Sequence, residues 1–351
     1  MKKLIWLSAL IFIGLMLQAQ TPVPAGDVSG LWNIDGSPYL IEGEITVPIN
    51  ETLVIEPGVT VNFQGYYKFN VMGTLLATGN EQDSILFTTD DPETGWHSIR
   101  IKDTDNNSQD TTRIMYCRIE YGKSSGTCPD NCGGGIFISH GRACITHNNI
   151  QHNSAYIGAA DWGGGGIYSE YSNPVISENI IQYNHSGHDG GGIYCSYGSP
   201  VISGNIVRNN DSDFRGGGIA SFLFAAPIIS NNIIESNSSN DLGGGLYLSG
   251  GDASVVNNYI IGNIGNEGGG LGLYLNNSKI INNLIAGNEA NHGGALYNKG
   301  SSPWVYNNTI AQNEAYSGGG GIYNTFEMIG MMAFHSNPTI INSIIHDNTA
   351  S

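Results

Sequence analysis

From residue 117 onward, short β-branched runs come in pairs, and one polar residue stands between the two runs of each pair. Taking that residue as a reference slot gives Cys117, Asn148, Asn179, Asn205, Asn232, Asn258, Asn283, Asn308 and Ser343, at steps of 31, 31, 26, 27, 26, 25, 25 and 35 residues. Three positions before every slot stands Ile or Val, from Ile114 to Ile340, and two positions after it stands another, from Ile119 to Ile345. β-Branched side chains favour the pleated strand over the helix, and a fixed period of this length marks a solenoid. A turn of chain this short cannot bury its own apolar side. Coils must therefore stack at about 4.8 Å, turning each aliphatic column into a stack inside a tube.

A second Asn column runs five positions after the slot, from Asn153 to Asn348. Stacked amides can hydrogen-bond from coil to coil, and Asn tolerates the left-handed backbone of a tight bend, so both columns read as structural. Gly runs such as Gly190–Gly192, Gly216–Gly218 and Gly243–Gly245 precede a third apolar run. No helical periodicity follows them, which excludes a phosphate-cradling loop and leaves bends and close backbone approach as their role.

The segment GGGGIYSEYSNPVISENIIQYN (163–184) resembles the repeats of right-handed parallel β-helix proteins of the pectate-lyase-like superfamily. Its Gly-Gly-aliphatic element is also similar to that of polymorphic outer-membrane proteins. ETLVIEPGVTVNFQGYYKFNVMGTLLATG (51–79), SILFTT (84–89) and GWHSIRI (95–101) resemble the opening coils of secreted β-helix proteins from Bacteroidetes-like bacteria. The resemblance implies an all-β, right-handed parallel β-helix of about twelve coils. It leaves the activity open, because this fold hosts lyases, hydrolases, adhesins and inert stalks.

Lys2 and Lys3, the apolar run Leu4–Leu17 and Gln18-Ala19-Gln20 read as a signal peptide over residues 1–20. Residues 21–39 then read as a lead-in, 40–132 as N-terminal coils and 133–351 as Gly-rich, Asn-laddered repeats. The expected product is exported, secreted or held at a bacterial cell surface, with no membrane insertion, since no run reaches the ~20 apolar residues of a span. The two strands around Ser343 complete without a polar cap, so the expectation is that the protein continues beyond Ser351 or that another chain covers this end; the resemblance implies a sorting or anchoring domain as such a continuation. The Met-rich insertion 325–336 reads as a loop packed on the side of the tube.

Without Lys2 and Lys3, 11 basic residues face 30 acidic ones, a net charge of 11 − 30 = −19 that argues against nucleic acid as a partner. Five Cys in an exported chain cannot all pair internally. Cys128 and Cys132, flanking Pro129-Asp130-Asn131, are the favoured local disulfide.

Chemistry is expected beside the Gly runs. Acids precede them, among them Asp161, Asp189, Asp213 and Asp241, and rings follow them, among them Tyr168, Tyr194, Tyr247 and Tyr297. Alternation along the strand turns those rings outward, so one face would display acids beside tyrosines. Such a face can stack on sugars and hold Ca²⁺ through Asp161, Asp189, Asp213 and Asp241, or it can be a stacked exterior with soluble turns. Of the five cations among residues 133–351, Arg215 is the favoured one, next to Gly216 on that face and between the coils of Asp189 and Asp241. Asp189, Asp213, Arg215 and Asp241 are therefore the catalytic candidates, with an ion pair from Arg215 to Asp213 or to an acid one coil away as the plain alternative. The polygalacturonase pattern is absent. The favoured function is a non-catalytic adhesin or carbohydrate-contacting scaffold that meets a polysaccharide or cell-surface glycan. A lyase or hydrolase acting on an acidic polysaccharide, and a structural spacer, remain as alternatives.

Overall fold

The computed structural model describes residues 20–102, 111–127, 129–156 and 162–351. One coil shows how the sequence folds. Val201–Ser203 and Ile206–Arg208 are the strands either side of Asn205; Asp211–Ser212 follows the second bend; Ile219–Phe222 follows the Gly run. Each strand pairs in parallel with its equivalent one coil on, so that Ile202 faces Ile229, Val207 faces Ile234 and Ile219 faces Leu246. Repetition builds sheet I of 13 strands, containing Ile206–Arg208, and two sheets of 12. Sheet II contains Ile219–Phe222 and sheet III contains Val201–Ser203. The result is an all-β, right-handed parallel β-helix, as the resemblance implied.

The aliphatic columns are the core: Ile202, Val207, Ile219, Ile229 and Ile234 are all solvent-inaccessible. Coiling begins earlier than expected. Thr21–Val23, Gly26–Asp27 and Gly30–Trp32 already pair with Tyr39–Ile41, Ile45–Val47 and Thr52–Ile55, so residues 21–39 are part of the tube.

The Asn columns are buried amide ladders. Asn205 Nδ2 donates to Asn232 Oδ1 at 3.0 Å and to Ile176 O at 2.9 Å, while the Asn205 N–H donates to the same Asn232 Oδ1 at 2.9 Å. The left-handed residue is the one before the slot: Asn231 has φ 57° and Asn209 φ 51°. The amide of the slot residue makes the ladder while its neighbour takes the bend. In the Gly runs, Gly216 has φ 65°, and a Cβ on Gly217 would run into the Ser238 carbonyl.

Residues 325–336 do not lie flat. Glu327–Ile329 and Met332–Phe334 form an antiparallel hairpin whose base sits over Gly300 and whose tip residue Met331 is 99% exposed. Among the described residues, no helix is long and apolar enough to cross a membrane.

Candidate functional site

Sheet II carries the ring column. Its register aligns Phe137, Tyr168, Tyr194, Ala220, Tyr247, Gly272, Tyr297 and Tyr323 on successive coils. The rings lie on the side opposite the inward Ile column, as alternation requires, but they are not displayed to solvent. Tyr168, Tyr194, Tyr247 and Tyr297 are all buried. Neighbouring rings cover each other's faces, with centroids 5.2 Å apart for Phe137 and Tyr168 and 5.0 Å for Tyr168 and Tyr194. Trp162, Phe222, Leu242 and Tyr274 pack over the cluster of Phe137, Tyr168, Tyr194 and Tyr247. A sugar has no ring face to stack on there.

Ala220 interrupts the column, and Arg215 fills the gap. Its guanidinium lies 4.9 Å from the Tyr247 ring and 5.4 Å from the Phe222 ring. Its Nε donates to Asp189 Oδ1 at 3.0 Å and its Nη1 to the Tyr247 hydroxyl at 3.1 Å. Burial opposes the Arg215 charge, but Asp189 and Tyr247 outweigh it and hold the guanidinium above its ordinary value. The acid one coil away is thus the partner, and it is 0% exposed.

The other carboxylates do not join this pair. Asp213 is exposed; its field falls instead on His185, whose Nδ1 lies 2.5 Å from Asp211 Oδ2. Asp241 is half-buried; burial raises its carboxyl, Arg215 draws it down, and Glu267 and Asp189 raise it again. Burial, then a hydrogen bond with Glu267, raises the Tyr297 phenol. Asp161 lies outside the described residues. Among the described residues, no three His, Cys, Asp or Glu side chains converge on a metal position, so Asp189, Asp213 and Asp241 do not form the expected Ca²⁺ set. Of the four catalytic candidates, the fold brings together Asp189 and Arg215, with Asp241 near. The favoured disulfide involves Cys128, which also lies outside the described residues; Cys132 is buried, its Sγ 3.5 Å from the Trp162 carbonyl.

Exposed rings stand at the neighbouring corner, between sheets II and III. His140, Tyr171 and Tyr197 stack at 4.8 and 4.5 Å, and Phe224 follows at 6.3 Å. Tyr171 is 49% and Phe224 75% exposed. All four have left-handed backbones, φ 52°, 47°, 49° and 61°. Gly or Asn would meet that backbone requirement more easily, so the bend alone does not explain rings there. Beside His140 and Tyr171 opens a cleft of about 380 Å³ lined also by Arg142, Cys144, Ser172 and Asn173. The signal for this corner was present in the sequence, since 171 − 140 = 31 and 197 − 171 = 26 repeat the slot steps.

The family model of the right handed β-helix region matches residues 93–263. Three crystal structures of mutant forms of the periplasmic alginate epimerase AlgG are similar in fold, with TM-scores of 0.57, 0.53 and 0.50 at 12%, 13% and 11% identity. Each alignment covers 91% of this chain and 85% of the other. No curated protein matches the chain in sequence.

Proposed function

We propose that this right-handed parallel β-helix repeat protein is an exported, non-catalytic scaffold that contacts glycan at the bacterial cell surface. The observation that carries the reading is the exposed corner of His140, Tyr171, Tyr197 and Phe224 beside the polar cleft. Aromatic rings give apolar sugar faces something to pack on, and the Asn173 side-chain amide in the cleft wall can meet hydroxyls. The periplasmic alginate epimerase, a polysaccharide-modifying protein by its name, has the same fold. That likeness supports a carbohydrate partner and an envelope or exported location.

The scaffold reading is preferred to a lyase or hydrolase because the acid of the best catalytic pair is shut away. Asp189 is inaccessible and tied to Arg215, which also contacts Tyr247 and Phe222. A general base must come within hydrogen-bond reach of the proton it takes.

The test is retention of the chain on immobilised neutral and acidic polysaccharides, with and without Ca²⁺, while unsaturated and reducing ends are followed. Retention without product is expected, and Tyr171→Ala should weaken it at least tenfold at unchanged melting. Steady release of either kind of end would make the chain an enzyme and overturn the scaffold reading.

A further inference from the structure

The opening coils of sheet II carry a different chemistry on the same outer face. With Phe69, Val71, Ile99 and Ile101 turned into the core, Lys68 and Asn70 of Lys68–Val71, and Ser98, Arg100 and Lys102 of Ser98–Lys102, all turn outward. Arg100 is buried against the Phe137 ring, 4.0 Å from its centroid, and donates to the carbonyls of Pro129 at 2.7 Å and Cys132 at 3.2 Å. Lys68 pairs with Asp130 at 2.9 Å, and Arg100 reaches the same carboxylate only at 3.9 Å. Lys102 is half-buried, and no carboxylate among the described residues lies within ion-pair distance of it. Next to these cations lies His97, 2% exposed, its ring 5.2 Å from that of Tyr66. Its Nδ1 is 3.0 Å from the Ser98 hydroxyl, and its Nε2 is buried without a hydrogen-bond partner.

Among the described residues, Lys68 and Lys102 lie in the field of the Arg100 guanidinium as well as of the Asp130 and Glu44 carboxylates, a local gathering of cations in a chain that is otherwise strongly acidic. A buried polar atom without a hydrogen-bond partner is unfavourable. An anion would answer both features, pairing with Lys102 and Lys68 and accepting a hydrogen bond from His97 Nε2–H when Ser98 donates to Nδ1. The site also adjoins the exposed corner: Lys102 pairs with Ser139, and His140 comes next in the chain.

We propose that the outer face of residues 68–71 and 97–102 binds an anionic group, a carboxylate or a sulfate ester, carried by the glycan that lies along the aromatic corner. The glycan part of this inference rests on the function proposed above; the anion site itself rests on Lys68, His97 and Lys102.

Calorimetric titration of the exported chain with an oligouronate, a sulfated oligosaccharide, a neutral oligosaccharide of equal length and inorganic sulfate tests it. At least one charged oligomer should bind tenfold more tightly than the neutral one, and which of them does identifies the group. Lys102→Gln, and Lys68→Gln with Lys102→Gln, should remove that advantage and leave neutral binding unchanged. In the parent chain, the His97 imidazole ¹⁵N resonances should move on adding the charged oligomer, which reads the site without any substitution. Equal binding of charged and neutral oligomers, or undiminished charged binding in both Lys variants, overturns the proposal. So does binding of inorganic sulfate with no gain from the oligomer. Charged binding that depends on Lys102 but not on Tyr171 keeps the anion site and removes the corner reading instead.

Discussion

His97 is the residue whose surroundings most change its chemistry. Burial, followed by the fields of Arg100 and Lys68, pushes its imidazole from an ordinary 6.5 down to about 3. Between those two values the unfolded chain binds a proton that the folded chain refuses. The stability contributed by the neutral ring is therefore complete above pH 6.5 and is lost as the pH falls, at up to about 1.4 kcal/mol per unit. Urea unfolding at pH 7 and pH 4.5 should show His97→Gln losing less stability on acidification than the parent; identical losses would remove the depressed imidazole from the account. Single residues of this kind were the least legible part of the sequence. GWHSIRI was readable as a strand, but nothing in its spacing told that Lys68 would stand one coil below Ser98. The four tyrosines were placed on the correct side of the sheet. What spacing could not supply was the covering of Trp162, Phe222 and Leu242, which come from different coils and turn an outward ring into a buried one.

At the level of the strand and its bends, the repeat was legible because each column has one physical task. Ile202 and Ile229 face each other across two coils with no access to solvent. Burial of each contributes about 1.5–3 kcal/mol. Ile202→Asp would place an unpaired carboxylate between aliphatic stacks, and the expected result is an insoluble or unfolded chain. Normal melting of that variant by circular dichroism would contradict the interior assignment. The bends were half legible. The Asn ladder followed from its spacing, whereas the left-handed position before it is filled by Tyr116, His147, Glu178, Asn231 and others, and only the backbone angles expose what they share. Composition hides such a column because the backbone angle, not the side chain, is what repeats.

For the molecule as a whole, stability is the sum of coil upon coil, and parts outside the ladders should matter little to it. The hairpin Glu327–Phe334 pairs only with itself, tethered by the 2.9 Å ion pair of Lys299 with Glu327. Met328, Ile329, Met331 and Met332 leave a large apolar area exposed at its tip. Replacing residues 326–335 by a short polar turn should move Tm by no more than about 2 °C, well under the loss of a core contact. It should also reduce self-association in sedimentation velocity; a large fall in Tm would mean that the hairpin closes the tube.

The parallel register has one further consequence. Because each slot-to-slot segment returns the chain to the same corner one strand spacing further along, the tube behaves as a graduated rule with marks about 4.8 Å apart. Lys102 and Tyr171 stand two marks apart on it, through Ser139 and Glu170. Removing or duplicating one whole coil between two chosen groups would change their separation by a single graduation while every column stays in line. The distance between contact points on a bound chain would then be set by counting coils.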